Sequence, residues 1–181
     1  MKGLIILANG FEDVEAIGTI DVLKRAHVNL TIASLHSKNE VVTSSNNKLI
    51  VDTYLKEVDY TSYDFLVLPG GKAVFNELDK SKLVDEIVKH FCDNKKLVCA
   101  ICAAPLLIGK HGYFEYLEYA CFPGCNEGII GGTLSDKPVV HVENYITARS
   151  MYYSCDFALE IVSVVKGIDR AIEIGKQIKG L

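Results

Sequence analysis

Residues 97–108 read LVCAICAAPLLI, an apolar run of strand length followed at once by a helix-prone stretch. We predict a strand over 97–100 and a helix over 103–108, which places Cys102 at the turn between them. A helix N-terminus offers unpaired N–H groups and partial positive charge, and both favour a thiolate. The sequence therefore predicts a nucleophilic, easily oxidised Cys102 with a lowered pKa. The alternative is a small buried hydrophobic residue, the usual setting of a free cysteine.

The other apolar runs of strand length alternate with segments of helical periodicity. They lie at residues 4–8, 30–34 and 65–68. Such alternation is typical of an α/β protein, and nearly continuous apolar strands indicate a parallel sheet covered by helices on both faces. Because the chain has 181 residues, of which 49% are hydrophobic, we predict one domain over 1–181.

Further elements are predicted around this framework. Helical periodicity over 14–26 and 83–91 indicates two packing helices. The packed side of the first is predicted to carry Val14, Ile17, Val22 and Leu23. We also predict a hairpin within 41–51, a strand pair at 139–142 and 145–147, and C-terminal helices broken near Gly167.

The charge of the chain argues against one class of partner. The net charge is −4 and the pI is near 5.7, without a local cluster of Lys or Arg, so we expect no nucleic-acid partner. The apolar run at 4–8 is too short to span a membrane and acidic residues follow it, so we expect no membrane association. Six cysteines without a recognisable secretion signal indicate a cytoplasmic protein with reduced thiols.

Metal and cofactor motifs are missing from the sequence. The five histidines are scattered without metal-ligand spacing, and no compact Cys/His set indicates zinc. A Gly-x-Gly-x-x-Gly loop and a Walker-type loop are also missing. We therefore predict neither a metal nor a cofactor.

A glycine pair is predicted to lie beside Cys102. Ligands of an open parallel sheet bind at the carboxyl ends of its strands, and Pro69-Gly70-Gly71 directly follows the run 65–68. Residues without a Cβ allow close approach to the backbone. The N–H groups of Gly70, Gly71 and Ala103 are predicted to form an oxyanion hole, a set of donors for charge on a substrate oxygen. An ordinary turn is the alternative.

Glu15 is the predicted acid partner of Cys102. It lies near the start of the first predicted helix and precedes Ala16 and Ile17, which indicates that its side chain turns inward. Burial raises the pKa of a carboxyl group, and a protonated acid would stabilise a neighbouring thiolate and move protons. The alternative is a carboxylate that complements the helix dipole, which suits Glu12 and Asp13.

These segments resemble the ThiJ/PfpI family, in particular its protein-deglycase branch, over nearly the whole chain. The resemblance is carried, in order, by residues 7–15, 21–26, 67–71, 100–105, 135–140 and 156–160. It implies a flavodoxin-like three-layer sandwich of the class I glutamine amidotransferase type, with a mostly parallel central sheet. It also implies a homodimer in which Cys102 is the elbow nucleophile and Glu15 its acid partner.

Two segments depart from the pattern of the family. Phe122 stands where many members carry a histidine, so a Cys-His dyad is not expected, and we predict that Phe122 lines the substrate site. Residues 149–153 read RSMYY, where related proteins have a short Gly-Pro-Gly-Thr turn. These larger side chains are expected to reshape the pocket rim or a dimer contact.

The leading hypothesis is a cofactor-independent cysteine enzyme of the glyoxalase III or deglycase type, active in oxidative or carbonyl stress. Its Cys102 thiolate would attack a small reactive carbonyl or a glycated group, with Glu15 relaying protons. One alternative is a non-enzymatic redox sensor or chaperone that uses Cys102 oxidation, with Cys121 as a possible resolving thiol. A cysteine peptidase is a further alternative.

Overall fold

The computed structural model describes residues 1–36 and 39–181. The strands are β1 Lys2–Leu7, β2 Asn29–Ser34, β3 Glu40–Val42, β4 Lys48–Ile50, β5 Thr53–Tyr54, β6 Phe65–Leu68, β7 Leu97–Ile101, β8 Glu118–Tyr119, β9 Thr133–Leu134, β10 Val139–Val142 and β11 Tyr145–Ala148. The α-helices are α1 Asp13–Arg25, α2 Lys82–Asp93, α3 Leu106–Gly109, α4 Ser154–Lys166 and α5 Ile168–Lys179. Among these helices, none has both the length and the apolar composition that a membrane crossing needs.

Seven strands form the central sheet in the order β10-β11-β7-β6-β1-β2-β5, and only β10 runs antiparallel to its neighbour. Every residue of β6 and β7 is buried, so both faces of the sheet are covered. Helices α1, α4 and α5 pack on one another, and α2 packs with α3. The two sets of helices therefore form the outer layers of a flavodoxin-like sandwich, as expected for apolar parallel strands.

Most predicted elements are confirmed, with bounds shifted by one or two residues. The hairpin is β3 with β4, the strand pair is β10 with β11, and the C-terminal helices break at Gly167. Two predictions are wrong. The helix predicted over 103–108 begins only at Leu106, because the chain turns at Cys102, whose φ of 63° is incompatible with an α-helix. Val14 and Ile17 are each 43% exposed, so they lie outside the core.

Asp85 on α2 is the centre of an ion cluster that joins this helix to the segment after α3. Its Oδ1 lies 2.6 Å from His111 Nε2 and 3.1 Å from Lys110 Nζ, and its Oδ2 lies 2.7 Å from Lys89 Nζ. Burial raises the pKa of Asp85, but the hydrogen bonds from these three partners outweigh burial and hold the pKa well below its usual range.

We expect Asp85→Asn to lower the free energy of unfolding by about 2 kcal/mol at neutral pH, because charge-assisted hydrogen bonds are lost. Since the folded-state pKa is depressed, this stability is present above the unfolded-state pKa of about 4 and is lost as the pH falls through the folded-state value. Urea unfolding at neutral and acidic pH measures both effects. Asp21→Asn, which breaks an exposed pair with Arg25, is the control and should change nothing. Equal effects of the two substitutions would contradict the prediction.

Candidate active site

Cys102 lies at the carboxyl end of β7, between the ends of β6 and β11. Its N–H donates to the Ala148 carbonyl at 2.9 Å, and its own carbonyl accepts from Phe122 N–H at 2.9 Å. The left-handed φ of 63° is unfavourable for a residue with a side chain, by about 1 kcal/mol. These backbone bonds hold the strained turn, which presents a partly exposed thiol towards the loop of Gly70 and Gly71.

The side chain of Glu15 reaches Cys102 from α1 and is only 1% exposed. Its Oε2 accepts a hydrogen bond from Gly70 N–H at 2.9 Å, and its carboxyl group is also hydrogen-bonded to the Cys102 side chain. Burial raises the pKa of Glu15 to about 7, although these two hydrogen bonds favour the charged form. Glu15 is therefore able to take up or release a proton near neutral pH.

The predicted lowering of the Cys102 pKa is wrong for this geometry. Burial raises the pKa of the thiol, and the charge and hydrogen bond of Glu15 raise it further, while Gly71 N–H lowers it. Helix α3 has only four residues and begins four positions later, so the expected helix N-terminus does not act on the sulfur. Glu15 instead loses its proton first, near neutral pH, while Cys102 remains mainly a thiol, and the two groups titrate as a coupled pair.

The three N–H groups predicted to form the oxyanion hole differ in their hydrogen-bond partners. Gly70 N–H is bonded to Glu15, so it is not free for a substrate oxygen and this part of the predicted oxyanion hole is wrong. Gly71 N–H is hydrogen-bonded to the Cys102 side chain. Within the described residues, Ala103 N–H has no acceptor, and it lies on the side of Gly70. Two donors, Gly71 and Ala103, therefore flank the reactive sulfur.

Gly70→Ala is expected to slow alkylation of Cys102 by iodoacetamide at least about tenfold, because reactive groups tolerate little displacement. A Cβ at this position would lie 2.7 Å from Cys102 Cβ, 2.7 Å from Glu15 Oε2 and 3.0 Å from Ala103 N. Gly18→Ala on α1 is the control, since its Cβ would have no neighbour closer than 3.8 Å among the described atoms. Equal alkylation rates in the two variants would contradict the close approach of the Gly70 backbone to Cys102 and Glu15.

Arg149 lines a cavity of about 280 Å³ together with Cys121 and Pro123, the two chain neighbours of Phe122. Phe122 is bound to Cys102 through its N–H, as noted above, and its side chain is 45% exposed. The cavity is lined by Cys121, Pro123, Leu134, Ser135, Asp136 and Arg149. The Arg149 guanidinium donates to the carbonyls of Ser135 and Asp136. The sequence predicted that residues 149–153 reshape the rim of the pocket, but it did not predict a guanidinium in the lining of this cavity. The position of Arg149 directly after the last residue of β11 could have indicated it.

The described part of the chain contains no group of three His, Cys, Asp or Glu side chains placed to hold a metal ion. The acid, the thiol and the two N–H donors can carry out nucleophilic addition to a carbonyl and proton transfer.

Comparisons with known proteins agree with the fold. The DJ-1/PfpI family model matches residues 1–164. Protein dj-1beta of Drosophila melanogaster is 33% identical over 177 residues, covering 97% of this chain and 95% of that protein. The Parkinson disease protein 7 homolog of Danio rerio is 32% identical over 177 residues, covering 96% and 94%. The crystal structure of a mutant DJ-1 superfamily protein from Salmonella typhimurium is similar with a TM-score of 0.91 and 29% identity, covering 99% and 98%. The chain belongs to the DJ-1/PfpI family, the ThiJ/PfpI family that its motifs resemble.

Proposed function

We propose that the protein is a cofactor-independent cysteine enzyme that acts on small reactive carbonyls, of the glyoxalase III or deglycase type. The observation that carries the proposal is the buried Glu15 carboxyl group, with a pKa of about 7, hydrogen-bonded to the Cys102 side chain. An acid whose pKa is near the working pH is an efficient proton carrier. Glu15 would therefore act as the base that activates the Cys102 nucleophile.

In the proposed mechanism, Cys102 Sγ attacks the aldehyde carbon of methylglyoxal while its proton passes to Glu15. The resulting hemithioacetal oxyanion would be held by the N–H groups of Gly71 and Ala103. Glu15 would return its proton to the oxyanion, which gives the neutral hemithioacetal. The ionised Glu15 would then move a proton from the former aldehyde carbon to its neighbour, while the hydroxyl proton passes to the former ketone oxygen, which gives a lactoyl thioester. Hydrolysis of the thioester would release lactate and restore the thiol.

Production of lactate from methylglyoxal, and of glycolate from glyoxal, tests this proposal. We expect turnover without an added thiol or metal. Casein cleavage with no carbonyl turnover would favour the peptidase alternative, and selective Cys102 oxidation with no carbonyl turnover would favour the sensor. A cytoplasmic location is part of the proposal, supported by the six free thiols.

We also propose that a second copy of the chain covers an exposed apolar face. Its side chains are Val14, Ile17, Ile50, Met151 and Tyr152. Asp13 on α1 accepts hydrogen bonds from Ser45 N–H and Asn47 Nδ2, which ties the hairpin to α1. Because α1 also packs on α4, the exposed side chains lie on neighbouring segments. Contiguous apolar patches of this kind are typical of protein interfaces.

Sedimentation equilibrium is expected to give the mass of two chains, and Ile17→Lys is expected to give the mass of one, because an unpaired charge would be buried in the contact. Tyr116→Lys is the control, since Tyr116 is exposed on the segment that follows α3, in the other layer. A single chain in the unsubstituted protein would remove the proposal of a dimer.

A further inference from the structure

A second thiol, Cys125, lies in the turn that is bound to Cys102. The Cys102 carbonyl accepts from Phe122 N–H at 2.9 Å, and the Phe122 carbonyl accepts from Cys125 N–H, also at 2.9 Å. Two backbone hydrogen bonds therefore connect cysteines that are distant in sequence. Both thiols are free and partly exposed, so a small oxidant that reaches one of them meets the other.

Cys125 is linked to Cys102 by the two backbone hydrogen bonds, and its charge interacts with those of Glu15 and Cys102. Burial raises the pKa of Cys125, and the charge of Glu15 raises it further. A charge on Cys125 in turn contributes to the raised pKa of Cys102. Cys121 is buried and lines the cavity beside Arg149. The earlier hypothesis of Cys121 as the resolving thiol therefore has less support than Cys125.

We propose that Cys125 is the resolving thiol of Cys102, so that oxidation by a hydroperoxide ends in a reversible disulfide between these two residues. In the first step, Glu15 takes the thiol proton, the Cys102 sulfur attacks a peroxide oxygen and the O–O bond breaks. The leaving oxygen then takes that proton and departs as water or an alcohol. The sulfur becomes a sulfenic acid after losing two electrons. The Cys125 thiolate then attacks this sulfur, an S–S bond forms, the S–O bond breaks, and the hydroxyl group leaves as water after protonation.

The turn that carries Cys125 can close on Cys102 with little disturbance. A disulfide needs Cα atoms about 4.4–6.8 Å apart, and the hydrogen bond from Phe122 N–H to the Cys102 carbonyl attaches the turn to Cys102. The side chain of Phe122 is about half exposed, and a Cβ built on Gly124 would meet no described atom within 4 Å. We therefore expect that the closing movement requires neither Phe122 nor Gly124 to leave a packed position.

The disulfide would act as a switch on the same sulfur that the proposed enzyme uses, but its formation does not depend on carbonyl turnover. It would stop attack on carbonyls until a dithiol reductant returned two electrons. It would also protect Cys102 from irreversible oxidation to the sulfinic acid.

Treatment of the full chain with a small excess of hydrogen peroxide, followed by alkylation and mass spectrometry, tests the proposal. Trypsin leaves Cys99 and Cys102 in one peptide and Cys121 and Cys125 in another, so variants identify the bonded pair. We expect the unsubstituted protein and Cys121→Ser to form a dithiothreitol-sensitive crosslink between the two peptides. Cys125→Ser should lack it and should accumulate Cys102 sulfinic acid at least about fivefold faster.

Cys125→Ala is a second variant in case the serine disturbs the turn, and both Cys125 variants should turn over methylglyoxal normally before oxidation. A crosslink that persists without Cys125, or equal sulfinic acid with and without it, would overturn the inference. Normal carbonyl turnover with no crosslink would leave the proposed function intact. A crosslink without carbonyl turnover would contradict the proposed enzymatic function and would still support Cys125 as the resolving thiol.

Discussion

Cys102→Ser is expected to reduce lactate formation from methylglyoxal at least about 10³-fold, because a hydroxyl group loses its proton far less readily than a thiol. Glu15, with a pKa of about 7, is too weak a base to remove a hydroxyl proton. The substitution changes one atom in a partly exposed side chain, so we expect little change in stability. Initial rates from an enzymatic lactate assay measure the effect.

Cys155→Ser is the matched control for this prediction. Cys155 is an exposed free thiol on α4 and is not part of the site, so its replacement should leave the rate unchanged. Equal lactate production by the unsubstituted protein and Cys102→Ser would exclude the proposed mechanism, because it would show that this sulfur does not carry the reaction.

Glu15→Gln is expected to lower kcat/KM for methylglyoxal about 10²- to 10³-fold, because an amide cannot exchange the proton that the mechanism moves. The amide oxygen of this variant can still accept the hydrogen bond from Gly70 N–H, so the geometry of the site should be unchanged. In the unsubstituted protein, activity should rise as Glu15 loses its proton, with an apparent midpoint near its pKa of about 7. A pH profile for both proteins measures the effect, and the same rising limb in Glu15→Gln would contradict this role.

The same substitution should stabilise the fold above neutral pH. Burial raises the pKa of Glu15 from 4.5 to about 7, so the folded state binds the proton more tightly than the unfolded state. This stability is present in full below the unfolded-state pKa and is lost as the pH rises to about 7. The difference corresponds to about 3 kcal/mol, and Glu15→Gln should recover part of it at pH 8 and almost none at pH 4. Urea unfolding at both values measures it, and a destabilised variant at pH 8 would contradict the assignment of burial as the cause.

The sequence predicted the fold well where the pattern was strong. Continuous apolar runs such as 65–68 and 97–100 are strands buried on both faces, and their order led to the carboxyl edge where the site lies. The inward direction of Glu15 was predicted from Ala16 and Ile17; Glu15 and Ala16 are buried, but Ile17 is exposed, so only part of that reasoning was correct. These features depend on local composition and periodicity, which the sequence shows directly.

Other features depended on tertiary contacts that no local pattern contains. The N–H of Gly70 was predicted to serve a substrate, but the distant Glu15 accepts from it. The helix expected at Ala103 begins at Leu106, because the strained turn at Cys102 comes first. The exposure of Val14 and the hydrogen bond that joins the turn of Cys125 to Cys102 likewise arise from the packing of separate segments.

The rate of Cys102 alkylation by iodoacetamide as a function of pH tests the coupling between Glu15 and the thiol most directly. It is followed by mass spectrometry in the unsubstituted protein and in Glu15→Gln. We expect the rate in the unsubstituted protein to rise with an apparent midpoint near 7, set by the first proton lost from the pair. In Glu15→Gln this rise should move to higher pH, because burial alone then governs the thiol. A midpoint near about 8.5 in both proteins, as for an isolated thiol, would contradict the account.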